Sequence, residues 1–296
     1  MKSEYRVEVH PQYKYKRIQP TPTDEEIEQY YRDEFYSSEY KNFNDSELEV
    51  QLADRSFFES NWQEIMDNLG RLVDGDVAGR SILDIGCGWG LALKYYAGLG
   101  LDVYGLDPSP EAIEYAAKNG VTVRQSGIKN LETFDGMTFD FLTLMNVLEH
   151  IAAPEEYLRQ ISDKVMDDSS ILVIDVPNEF NALQICGQKV NELDEWWVAA
   201  PQHLNYFDLE SLNCVLEAAG LELLHAQSSF PLEIFLAMGD NYVGDHTIGH
   251  DCHKKRVQFE TNMRVHGFGA KLRELYTSLA EIGLGRQVTV YAKRRS

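Results

Sequence analysis

The run Ser81-Ile82-Leu83-Asp84-Ile85-Gly86-Cys87-Gly88-Trp89-Gly90 constrains this chain more than any other part of it. Its apolar start reads as a short buried strand that enters a glycine-rich turn, and Leu91 to Leu99 read as the helix that follows. A second strand, Leu101 to Leu106, ends on Asp107. Together these make one βαβ unit with an acid at the tip of its second strand, where a ribose diol can be held. Glycine is needed in the turn because the backbone must take angles that a Cβ forbids and must let a ligand lie against bare main chain.

The spacing narrows the ligand. Dinucleotide sites use Gly-x-Gly-x-x-Gly, but here the glycines fall at 86, 88 and 90, and Leu91 holds the place of the third. No Gly-x-x-x-x-Gly-Lys-Ser/Thr run offers a phosphate cradle. Leu-Asp-Ile-Gly-Cys-Gly-Trp-Gly resembles motif I of the class I S-adenosylmethionine-dependent methyltransferases, in the broad small-molecule group that includes sugar and natural-product enzymes. The resemblance implies S-adenosylmethionine as cofactor, its amino-acid end held by Gly86, Cys87, Gly88 and Gly90 and its ribose by Asp107, with Asp84 ordering the turn. It also implies that Ile128, Asn146 and Leu148 line the adenine and sulfonium region. The family often has an acid after the third strand, near the adenine amino group. Gln125-Ser126-Gly127-Ile128 lacks it, so that contact is expected from main chain or Ser126.

The rest of the core alternates strand and helix, as a doubly wound sheet requires. Strands are predicted at Thr122–Gln125, Phe139–Met145, Ser170–Val176, Leu221–Ser228 and Gln287–Lys293, with helices at Pro110–Asn119, Pro154–Val165 and Leu209–Ala219. The expected fold is α/β: a Rossmann-like, doubly wound, seven-stranded sheet. An N-terminal arm and helices (1–72) precede a core of residues 73–228 and 287–296, and an inserted helical cap (229–286) separates the last two strands. Helical patterning at Val257–Met263 and Ala270–Ile282 argues against a structureless connection there. The cap is expected over the carboxyl ends of the strands, where open α/β sheets bind ligands. Residues 180–200 form a second insertion. In the arm, residues 1–23 suggest a strand or hairpin, and Leu52–Leu72 a helix. Thr23 or Asp24 can cap a helix bearing Ile27, Tyr30, Tyr31 and Phe35, whose aromatic stripe reads as core packing or as a lid over the cofactor.

Composition excludes several partners. With 27 basic and 48 acidic residues the net charge is −21, a poor start for nucleic-acid binding. Solubility explains the acidity most simply, and attraction of a sulfonium cation is a second reading. The four cysteines (87, 186, 214, 252) have no paired spacing for a disulfide framework or zinc ribbon. No window approaches the roughly 18 apolar residues of a membrane span, and the polar amino terminus has no apolar signal region. A cytoplasmic protein is expected.

Methyl transfer from a sulfonium is an in-line displacement, which must align three atoms, exclude water and, for a hydroxyl acceptor, remove a proton. The end of the fourth strand, Leu144-Met145-Asn146-Val147-Leu148-Glu149-His150, resembles the strand-end Glu-His motif of small-molecule methyltransferases, not the Asn/Asp-Pro-Pro-Tyr motif of enzymes that methylate base amino groups. His150 suits either base catalysis or a structural bond. His203 is the sharper candidate base. Pro201-Gln202-His203-Leu204-Asn205-Tyr206-Phe207 resembles a His-Leu-x-x-Phe element of the same family. Asn178, Trp196 and Tyr206 are candidate acceptor contacts, with turn formation and packing as the plainer alternatives. His246, His250, Cys252 and His253 cluster without a known metal spacing, and no metal is expected. The resulting expectation is O-methylation of a sugar or other polar small molecule. The alternatives are a small-molecule N-methyltransferase and a non-catalytic cofactor-binding protein.

Overall fold

A computed structural model describes residues 5–23, 26 and 48–295. The helix predicted through Ile27, Tyr30, Tyr31 and Phe35 lies outside the described residues. Strands β1 (Arg6–Val9) and β2 (Lys16–Gln19) lead to helices α1 (Leu48–Ala53) and α2 (Arg55–Leu72). The core follows as β3 (Ser81–Ile85), α3 (Leu91–Gly98), β4 (Asp102–Asp107), α4 (Pro110–Lys118), β5 (Val123–Gln125), β6 (Phe141–Met145), α5 (Pro154–Val165) and β7 (Ile171–Pro177). Then come α6 (Ala182–Asn191), β8 (Asn205–Tyr206), α7 (Leu209–Ala218), β9 (Leu221–Ser228), α8 (Glu233–Ala237), α9 (His246–Val265), α10 (Gly269–Glu281) and β10 (Gln287–Arg294).

The main sheet has seven strands in the order β5-β4-β3-β6-β7-β10-β9. All pairings are parallel except those of β10, which runs antiparallel to both β7 and β9. Successive side chains of a strand point to opposite faces, so the apolar runs of β3, β6 and β7 supply both layers of core. Ile82, Phe141, Ile171 and Val173 pack with Ile65 and Leu69 of α2 and with Leu93 and Tyr96 of α3. Leu83, Leu142, Leu144, Leu172 and Ile174 face the other way, against Leu158 and Ile161 of α5 and Leu212 and Val215 of α7. Helix ends carry their own signals: Ser109 caps α4 ahead of Pro110, and Asp208 with Ser211 forms a capping box on α7.

The insertion between β9 and β10 departs from its expected place. It holds three helices, and α9 begins well before the predicted Val257. Its last helix does not cover the carboxyl edge. Instead α10 packs along β9 with Leu272, Tyr276 and Ala280 buried, and Arg273 reaches Glu64 (2.7 Å) and Asp67 (3.1 Å) of α2. An amphipathic helix buries its apolar stripe, and here that stripe lies against the flank of the edge strand. Short α8 follows β9 at the carboxyl edge and packs on α6, where Gly187 leaves room for Leu236.

A second, three-stranded sheet joins the chain's beginning to its middle. The β1–β2 hairpin pairs through β2 with β8, Lys16 opposite Tyr206 and Arg17 opposite Asn205. The Ile18 amide also donates to Leu204 O at 3.0 Å. This small sheet anchors the loop that carries His203 beside the carboxyl edge of the large one.

Candidate active site

The glycine turn links β3 to α3. Gly86, Gly88 and Gly90 all have positive φ (80°, 49° and 69°), the region that L side chains avoid. A Cβ on Gly86 would stand 2.6 Å from a Val147 methyl, so the turn can pass under the β6 end only without one. A Cβ on Gly88 would meet nothing within 4 Å, so the main chain there faces open space. Asp107 at the tip of β4 is buried and accepts the Gly88 amide at 2.8 Å on one oxygen and the Ser109 amide at 2.9 Å on the other. Burial raises its pKa and those two amides pull it back. Asp107 therefore fixes the turn itself, a role the sequence reading gave to Asp84. Asp84 is buried and accepts from Thr143 Oγ at 2.7 Å, which ties β3 to β6, and burial pushes its pKa up to about 6.

The other expected cofactor contacts fall along the same edge. Cys87 is largely enclosed and its thiol pKa is pushed up by burial, which makes it an inert filler between the turn and Gly105 of β4. Asn146, just past β6, is exposed with a φ of 54°, and its side-chain oxygen accepts from Gln287 Nε at 3.1 Å. Left-handed backbone at a non-glycine residue is uncommon and clusters at functional edges. Leu148 is fully buried, and Ile128 is half-buried with its carbonyl held by the Tyr157 hydroxyl at 2.6 Å.

Past Asn146 the ends of β6 and β7 and the loop before β8 bring four ionisable side chains together. Glu149 and His150 form a 3₁₀ turn after β6, and Glu179 lies two residues beyond β7. The Leu204 amide donates to Glu149 O at 2.9 Å and holds the His203 loop against that turn. The His150 and His203 rings meet edge to face at 5.1 Å. His150 Nδ1 sits 2.8 Å from Gln202 O, and its Nε2 is 3.8 Å from Glu149. His203 Nδ1 is 4.0 Å from Glu179, which makes an ion pair and not a hydrogen bond. Both Glu149 oxygens and His203 Nδ1 are buried without a hydrogen-bond partner among the described residues.

Burial dominates the charge states. It pushes Glu149 up to about 8 and, with His203 adding to it, His150 down to about 3. Burial alone would lower His203 too, but Glu179 and then Glu149 outweigh it against the opposing Arg286, and its pKa is raised. Near neutrality His150 is therefore an uncharged imidazole, whereas the acids around His203 favour its protonated form. Glu149, His150 and His203 also bring one ligand atom each within 4.8 Å of one another, the one such group among the described residues. The His246, His250, Cys252 and His253 run makes no such group. Cys252 is buried, and His253 is 2.5 Å from Asp54 and 2.7 Å from Arg256, which fastens α9 to the start of α2.

Each expected acceptor contact has structural neighbours of its own. Asn178 is buried and donates to the Gly285 (3.0 Å) and Gly283 (3.3 Å) carbonyls, so its amide holds the approach to β10. Trp196 is half-exposed and stacks edge-on against the buried Trp197 at 4.6 Å, a packing pair. Tyr206 is buried in β8 with its ring 6.3 Å from His203 and its hydroxyl without a described partner. Sequence reasoning missed Glu179, whose only signal is an acid directly after Val176-Pro177-Asn178 at a strand end. It also missed Arg286, which pairs at 2.8 Å with the fully buried Glu233 beyond the same edge.

Against known proteins, residues 57–226 match the sequence profile described as "Methyltransferase domain". The mitochondrial ubiquinone biosynthesis O-methyltransferase of Schizosaccharomyces pombe is 36% identical over 104 residues, 32% of this chain and 38% of that protein. Its counterpart in Rhizobium leguminosarum bv. trifolii is 30% identical over 151 residues, 49% of this chain and 60% of that one. The matches thus span less than two thirds of these relatives. Among solved structures, the magnesium protoporphyrin IX methyltransferase ChlM from Synechocystis PCC 6803, with bound SAH, superposes with a TM-score of 0.53 at 14% identity, over 90% of this chain and 98% of that one. The plantazolicin methyltransferase BamL, in complex with a triazolic desmethylPZN analog and SAH, gives 0.55 at 16% identity, over 88% and 93%. These structures share the fold of the large sheet, and the profile runs from α2 into β9 across more than half of the chain, so this protein belongs to the methyltransferase-domain family, with the Rossmann-like architecture of the class I enzymes.

Proposed function

We propose that this chain transfers a methyl group from S-adenosylmethionine to a hydroxyl of a polar small molecule, such as a sugar or a polar secondary metabolite, with His203 as the base. The observation that carries the reading is the buried His203–Glu179–Glu149 group beside the glycine turn. The turn fits the cofactor: Gly88 faces open space, and each Asp107 oxygen, although it accepts one amide, keeps a lone pair for a ribose hydroxyl. When bound, the cofactor supplies an electrophilic methyl on a sulfonium.

The protein's own part is orientation, exclusion of water and proton transfer. Asn146, held by Gln287, and the buried Leu148 follow β6 directly and lead into the Glu149–His150 turn that packs on the His203 loop. His203 Nε2 takes the acceptor proton as the oxygen gains its methyl, and the buried Glu179 carboxylate stabilises the imidazolium. The relatives' name, ubiquinone biosynthesis O-methyltransferase, supports oxygen as the acceptor atom.

The test is calorimetric titration with S-adenosylmethionine, using NAD as control, followed by a mass-shift screen of hydroxylated acceptors. Asp107→Ala is expected to weaken cofactor binding at least tenfold, since it removes both the ribose partner and the turn's anchor. His203→Gln should keep cofactor affinity and lose most turnover. Equal cofactor binding by the Asp107 variant would overturn the site. Full turnover by the His203 variant at high pH would point to a neutral amine acceptor.

A further inference from the structure

We infer that Glu179 is the positioning residue of His203: it selects the tautomer with the proton on Nδ1 and turns Nε2 toward the acceptor. The inference rests on the reading of His203 as base, and it reaches a residue that no family motif in the sequence marks. Glu179 is 7% exposed and stands beyond β7, whereas His203 comes from the loop before β8, so their approach is built by tertiary structure. The carboxylate is 4.0 Å from Nδ1, which has no hydrogen-bond partner among the described residues. A buried nitrogen that can donate, facing a buried carboxylate, favours the tautomer with the proton on Nδ1. An approach of about 1 Å makes the hydrogen bond that triads use to hold an imidazole.

The groups facing His203 are distinct enough to separate by mutation. Glu149 and His150 come from the turn after β6, Tyr206 from β8 and Arg286 from the start of β10. Of these, Glu179 alone stands as an ion partner of Nδ1. In the transfer step the acceptor O–H bond breaks, its proton passes to Nε2, and the oxygen forms its bond to the methyl while the sulfonium becomes a thioether. The charge on the imidazolium is then balanced by Glu179, with no other co-reactant.

The experiment is a histidine-selective ¹⁵N–¹³C NMR titration of the free protein in EDTA, for wild type, Glu179→Gln and Glu179→Asp, with His203→Gln to assign the resonance. In wild type the neutral His203 is expected as the Nδ1–H tautomer. In Glu179→Gln its pKa should fall by about one unit or more, as expected when an opposite charge is removed at this distance, and the tautomers should mix. Glu179→Asp should fall less, because the charge is kept but withdrawn by one methylene. If only the Asp variant folds, its titration must still lie below that of wild type. Unchanged His203 titration and tautomer in the folded variants would overturn the proposal. A merely structural Glu179 would lower Tm without moving His203 relative to His150. Should His203→Gln keep full turnover while Glu179→Gln shifts the titration, the pairing stands and the base role falls.

Discussion

Glu149 illustrates how a single side chain can set a pH response. Its carboxyl is 2% exposed, both oxygens lack partners among the described residues, and burial raises its pKa to about 8, against roughly 4.3 for a solvated glutamate. Between those values the folded protein holds a proton that the unfolded chain has released. Its contribution to stability therefore falls as pH rises through that window, by up to about 1.4 kcal/mol per pH unit for one proton. Asp84 and Asp175, raised to about 6 and about 7, act in the same direction over narrower ranges. Glu149→Gln is expected to flatten the slope of unfolding free energy between pH 6 and pH 8 in urea titrations; an unchanged slope would place the proton elsewhere. This is also where sequence reasoning stops. The Glu-His pair was visible as a motif, but which member is buried, and which charge state follows, depends on the loop at 200–207 packing over it. The turn glycines and Asp107 were legible because their constraint is local; Asp84 was misassigned because its partner, Thr143, lies on another strand.

Among the elements, the strands were read closely because strand and helix alternate with clear punctuation, and β3, β9 and the antiparallel β10 begin where the pattern placed them. The insertion was legible as helices but not as a location. Its apolar stripe packs on β9, and Arg273 ties it to α2 by reaching two carboxylates there, one of them also touched by Gln227 of β9. These groups are about four-fifths buried or less, so the pairing is worth a modest amount, but its loss leaves Glu64 and Asp67 facing each other one turn apart. Arg273→Ala is expected to destabilise the protein by about 1–2 kcal/mol, measured by urea unfolding, and to increase hydrogen exchange in α10 before α7. Equal exchange in both helices would show that apolar contacts with β9 hold α10 unaided.

For the whole molecule, the acidity that argues against a nucleic-acid partner also bears on stability. The charge of −21 is what remains after every basic residue has been set against an acid, and exposed ion pairs on the surface contribute little each. Self-repulsion at this charge opposes the compact state and is screened by salt. Raising sodium chloride to roughly 0.5 M, where the Debye length falls to about 4 Å, is expected to raise Tm in a thermal-shift assay; a fall would mean that surface pairs, not net repulsion, dominate. Among the described residues no helix is long and apolar enough to cross a membrane.

The small sheet β1-β2-β8 has a kinetic implication. Lys16 and Tyr206, which pair across it, are separated by most of the Rossmann core in sequence. Closing so long a loop gives little return until the strands between them are in place. The hairpin is translated first, yet its third strand emerges only after β7, so the His203 loop acquires its clamp late. A ribosome-bound fragment ending before residue 203 would carry the glycine turn and Asp107 without His203. The two halves of the active site are thus separated in time during synthesis, although they share one edge of the sheet once folding is complete.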